Sequence, residues 1–100
     1  MSESKLTKEE ILNFLRKNKD FFRKNFDVDN IILFGSYARD EATPASDIDI
    51  LLEAKKKDFD KQFDLKELLE KQFSKKVDLA YIDTVRPFIM YYIKNELIYV

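Results

Sequence analysis

The stretch from residue 30 to residue 53 constrains the fold most. The apolar run NIILF ends in the chain's only glycine, Gly35, and DIDILLE follows, with Asp47 and Asp49 alternating with isoleucines. A short run that is apolar throughout suits a strand covered on both faces. DIDILLE reads as a second strand of another kind, with Ile48, Ile50 and Leu52 on one face and the aspartates and Leu51 on the other. Residues two apart in a strand share a face, so the two carboxylates stand roughly 6–7 Å apart at Cβ. Aspartate is depleted in strands, and like charges on one face repel. A divalent cation offsets that repulsion. A solvent-facing edge strand, or a turn at Ser46-Asp47, is the plainer alternative.

The other segments complete an α/β pattern. Thr7 stands three residues before Glu10, the capping-box spacing, and Ile11, Phe14 and Leu15 continue at helical intervals, predicting a helix from Lys8 onward. FDKQFDLKELLEKQF spaces Phe59, Phe63, Leu65, Leu68, Leu69 and Phe73 as for a helix laid on a sheet. KKVDLAYID reads as a third strand, VRPFIMYYIKN as a final helix opening at Pro87, and ELIYV as a closing edge strand. The order α-β-α-β-α-β-α, with that edge strand, implies a small α/β sandwich with helices packed on a mixed sheet. Residues 1–100 are expected to form one domain, since 100 residues do not build two separate cores.

Composition narrows the chemistry. The chain has no His and no Cys, which excludes a Ser-His-Asp triad within it, a thiolate nucleophile and the usual zinc ligand sets. Carboxylates must then supply both base and metal ligands, and clustered carboxylates favour hard cations such as Mg²⁺ or Mn²⁺. Charged residues make up 37% of the chain yet nearly cancel to a formal net charge of -1, which argues against nucleic-acid or membrane binding by bulk positive charge. No apolar stretch approaches the roughly 20 residues of a membrane span, and the N-terminus lacks a signal-peptide core. A cytoplasmic location is the expectation.

Several residues are candidates for a site. Gly35-Ser36 falls where the first strand ends and a helix begins, a junction whose backbone N–H groups can hold phosphate; a tight turn with Ser36 as helix cap is the competing reading. The second glycine and lysine of a phosphate-binding P-loop are missing. Arg39 lies one turn beyond Ser36, within reach of a phosphate, or is an exposed arginine paired with nearby acids. Asp78, between Val77 and Leu79, adds a third carboxylate, and with Asp47 and Asp49 could hold two metal ions about 3.5–4 Å apart. Lys55, Lys56 and Lys57 read as a solvated loop, and Phe88, Tyr91 and Tyr92 as core residues of the last helix.

The residues GSYARDEATPASDIDILLE, followed by VDLAYID, resemble the nucleotidyltransferase superfamily that includes DNA polymerase beta and kanamycin nucleotidyltransferase. The compact length, the Ala-Arg after Gly-Ser-x and the Ala-Thr-Pro-x-Ser-Asp linker resemble its minimal nucleotidyltransferase group, which includes antitoxins partnered with HEPN-domain RNase toxins. Asp40 departs from the pattern, standing where the group usually has glycine. The resemblance implies that Gly35, Ser36, Arg39 and Ser46 bind the nucleotide, and that Asp47, Asp49 and Asp78 hold two Mg²⁺ ions and carry catalysis.

The expected function is therefore Mg²⁺-dependent transfer of AMP from ATP, or another NTP, to a hydroxyl of a partner protein. The resemblance suggests a tyrosine of a HEPN toxin, in a hetero-oligomer, with the chain acting as antitoxin. Two alternatives stand beside it: an antitoxin that masks its partner sterically without catalysis, and transfer to a small molecule such as an aminoglycoside.

Overall fold

The computed structural model describes residues 5–100. Its elements run α1 (Lys8–Lys17), α2 (Lys19–Phe26), β1 (Asn30–Phe34), α3 (Gly35–Ala38), β2 (Ile48–Glu53), α4 (Phe59–Phe73), β3 (Val77–Tyr81), a 3₁₀ turn at Ile82–Thr84, α5 (Pro87–Ile93) and β4 (Ile98–Tyr99). The strands form one mixed sheet in the order β3-β2-β1-β4, with β1 antiparallel to both β2 and β4, and β2 parallel to β3.

Local chemistry sets the helix ends. The capping box at Thr7 forms: its hydroxyl accepts from the Glu10 N–H at 3.1 Å and Glu10 accepts the Thr7 N–H at 2.9 Å. The single helix expected over the N-terminal segment is instead two. Asn18 breaks it, donating its side-chain amide to the Phe14 carbonyl at 2.8 Å and offering the backbone an alternative to continued helix. Asp58 caps α4, accepting from the N–H groups of Asp60 and Lys61 at 3.1 Å each.

The sheet has two unlike faces. Ile31 and Leu33 of β1, Ile48, Ile50 and Leu52 of β2, and Val77 and Tyr81 of β3 join Ile11, Leu12, Leu15, Phe22, Leu65 and Leu69 of the helices in one buried cluster. Each such side chain contributes about 1.5–3 kcal/mol relative to exposure. Alternation sends Ile32 and Leu51 to the other face, where they are paired across the strands and also buried. Asp49 and Asp78 belong to that second face.

Two apolar expectations fail. In α4, Leu65 and Leu69 are buried as the spacing predicts, but Phe59 and Phe63 are 64% and 58% exposed. The residues Phe88, Tyr91 and Tyr92, read as core, are 72%, 67% and 67% exposed, and α5 buries no residue. PFIMYYI is apolar all round, so its periodicity selects no inward face.

Candidate active site

The site forms where β1 ends beside the start of β2. Register places Phe34 opposite Asp49, and Asp49 opposite Asp78 on the neighbouring parallel strand. Asp47 precedes the first paired residue of β2, Ile48, rather than lying within the strand as the alternation suggests. The structure thus brings Gly35, Asp49 and Asp78 together on one sheet face, with Asp47 at its rim.

Gly35 is required twice over. Its φ of +78° is disfavoured for a residue with a side chain, and an added Cβ would stand 2.9 Å from Asp49 Cγ and overlap its carboxylate. The turn after β1 therefore lies directly against Asp49. Helix α3 is a single turn, capped by Phe34 without a side-chain hydrogen bond, so Ser36 is not its cap. Arg39 ends that turn.

Burial pushes the Asp49 carboxyl up to about 6, with the charge of Asp78 and then Asp47 acting in the same direction and Arg39 acting against them. A half-buried carboxylate beside two others disfavours its own ionised form. That is the electrostatic signature of a cation site, or of a group that handles protons. The donors are all oxygen, which fits a hard divalent cation. Among the described residues no three acidic side chains converge into a ready-made cage. A cation bound here must complete its shell with phosphate oxygens and water, as Mg²⁺ commonly does.

The remaining candidates divide. Ser46 closes the turn Thr43–Ser46: its hydroxyl accepts from the Thr43 N–H at 2.8 Å and its own N–H donates to the Thr43 carbonyl at 2.9 Å. Lys75, which no sequence pattern singled out, donates to the carbonyls of Pro44 and Ser46 at 2.7 and 3.0 Å and so holds the loop leading into Asp47. Asp40 has φ +59°, the left-handed region that glycine favours and aspartate tolerates, and its carboxylate pairs with Lys8 at 2.8 Å. Asp40 thus adopts a turn conformation that glycine would also permit.

Glu96 was not legible as a site residue. Its carboxylate accepts from the Gly35 N–H at 2.7 Å and from Arg39 Nη1 at 3.0 and 3.1 Å, while Arg39 Nε donates to Glu41 at 2.9 Å. A lone glutamate so distant in sequence carries no local pattern that ties it to Gly35.

Known proteins share this chain's sequence pattern and fold. The profile of the family described as Polymerase beta, Nucleotidyltransferase matches residues 16–100. A provisionally named protein adenylyltransferase of Methanocaldococcus jannaschii is 42% identical over 91% of this chain and 95% of its own length. Protein adenylyltransferase MntA of Thermococcus cleftensis is 37% identical over 95% of this chain and 97% of its own. A solved structure provisionally described as a minimal nucleotidyltransferase superposes with a TM-score of 0.79 at 23% identity, covering 96% of this chain and 98% of that one. The complex of a tri-AMPylated Shewanella oneidensis HEPN toxin with an MNT antitoxin holds a chain that superposes at 0.59 and 22% identity, covering 92% of this chain and 66% of that one. With the profile spanning most of the sequence and a relative 42% identical over nearly its whole length, this chain belongs to the polymerase beta nucleotidyltransferase family and is a nucleotidyltransferase.

Proposed function

We propose that this chain transfers AMP from ATP to a tyrosine hydroxyl of a partner HEPN-type RNase toxin, silencing it as an antitoxin. The observation that carries the chemistry is the half-buried Asp49 carboxylate, set against the Gly35 backbone on one side and paired in register with Asp78 on the other. The partner and the transferred group rest on the names of relatives and on the HEPN complex.

Asp47, Asp49 and Asp78 would hold Mg²⁺. When bound, the metal neutralises charge developing on the phosphates, worth several kcal/mol in such sites. The Gly35 N–H, Ser36 and Arg39 would position the triphosphate. Ser46 serves by closing the turn before Asp47, so its support for the nucleotide is through the loop. The phenolic oxygen of the acceptor attacks the α-phosphorus, the bond to the bridging oxygen of pyrophosphate breaks, and the phenolic proton passes to a carboxylate. Asp78, exposed and in register with Asp49, is the base in this reading. The products are an adenylylated tyrosine and pyrophosphate.

The test is incubation of the chain with its partner, ATP and Mg²⁺, followed by intact mass and peptide mapping. The reading expects one or more AMP increments on a partner tyrosine, absent with EDTA. A partner that gains no mass while being neutralised would favour steric masking, which the exposed Phe88, Tyr91 and Tyr92 surface also suits.

A further inference from the structure

Glu96 presents a carboxylate to the two groups that the proposed function reserves for phosphate. It accepts from the Gly35 N–H at 2.7 Å and takes both Arg39 contacts at 3.0 and 3.1 Å. Its side chain is only 16% exposed, whereas the other acid on Arg39, Glu41, is 66% exposed. Hydrogen bonds between ionised groups in such a sheltered position are about twice as strong as neutral ones. An arriving triphosphate therefore meets a cradle already filled by an anion of the chain itself.

We infer that Glu96 is an internal competitor of the nucleotide: ATP binds only by displacing it, and the displacement loosens the C-terminal segment. The inference rests on the proposed phosphate role of Gly35 and Arg39. The connection to the C-terminus is short. Glu96 donates its backbone N–H to the Ile93 carbonyl of α5, and Ile98 and Tyr99 pair with Leu33 and Ile32 of β1, the strand that ends at Phe34, just before Gly35. Glu96 thus pins the link between α5 and β4 to the turn that nucleotide must occupy. Beside the two-residue strand, the segment is held by Ile98 and Val100 packing on the core and by the Val100 N–H bonding the Ile31 carbonyl at 2.9 Å, and the Glu96 carboxylate adds a polar tether at its start. A chain in which the competent state is a minor population binds ligand more weakly by that fraction, and removing the competitor restores the intrinsic affinity.

The experiment measures ATP with Mg²⁺, and inorganic tripolyphosphate, by calorimetry against the parent chain, Glu96→Gln and Glu96→Ala. Both variants are expected to bind each probe about tenfold more tightly or better. Unchanged or weaker binding by folded variants, with the parent binding normally, overturns the gate and leaves the nucleotidyltransferase reading standing. Failure of all three chains to bind ATP overturns that reading and the gate with it. Amide hydrogen exchange on the parent keeps the test independent of how the variants fold. Saturating ATP with Mg²⁺ should accelerate exchange in residues 94–100, and unchanged or slower exchange there refutes the displacement.

Discussion

Gly35 and Asp49 touch across the β1–β2 pair so closely that no side chain fits between them: a Cβ on Gly35 would lie 3.0 Å from Asp49 Cβ and nearer still to its carboxylate. Gly35→Ala therefore meets two penalties, a left-handed backbone and a collision with a charged group. The expected cost is about 1–3 kcal/mol from the backbone alone, and urea denaturation measures it. Displacement of Asp49 should also abolish the thermal shift that ATP and Mg²⁺ give the parent.

The pH dependence of the metal-free protein follows from Asp49. Its folded value is raised from 3.8 to about 6, so the native state holds a proton that the unfolded state releases. The Asp49 contribution to stability in EDTA is then fully present below pH 4 and is lost as pH rises from about 4 to about 6, the sign set by greater proton binding in the folded state. Asp49→Asn should flatten this decline, leave the fold intact, and stabilise the protein at pH 7 while removing transfer activity. Chemical denaturation at several pH values in EDTA checks the slope, and an unaltered slope in the variant reassigns it.

ATP with Mg²⁺ should raise the melting temperature markedly more than ATP with EDTA. Carboxylates that repel one another also repel a triphosphate, and the cation reverses both terms. Differential scanning fluorimetry with equal shifts under both conditions would count against a metal-dependent nucleotide site.

Asp78→Ala separates chemistry from partner binding. A residue acting in proton transfer and metal ligation should cost about 10²–10⁴ in transfer rate, with partner affinity retained. Paired binding and transfer assays test this. Full neutralisation of the toxin by a variant that transfers nothing would show that masking suffices.

The two faces of α4 give a contrast in stability. Leu69→Ala removes a fully buried side chain and should cost about 2–5 kcal/mol, while Phe63→Ala, at 58% exposure, should stay within about 0.5 kcal/mol. Equilibrium denaturation of the two variants settles the comparison, and a large loss for Phe63 would mean that its face is covered in solution.

The chain's local patterns determined its elements and much of its chemistry. NIILF, DIDILLE and VDLAY could be read as strands because burial imposes continuous or alternating hydrophobicity, and the Thr7-Glu10 box marked a helix start because its bonds span three residues. The absence of His and Cys excluded a Ser-His-Asp triad within the chain and a thiolate nucleophile, a matter of composition alone. Tertiary structure alone decided which carboxylates meet. Asp49 stands opposite Asp78 because β2 and β3 pair in parallel at one register, and a slip by one residue would send either to the other face. It likewise left the aromatics of α5 exposed, since an element apolar on every side carries no instruction about which side to bury. Glu96 reached Gly35 through the pairing of β4 with β1, a long-range contact between residues whose own neighbourhoods say nothing of each other.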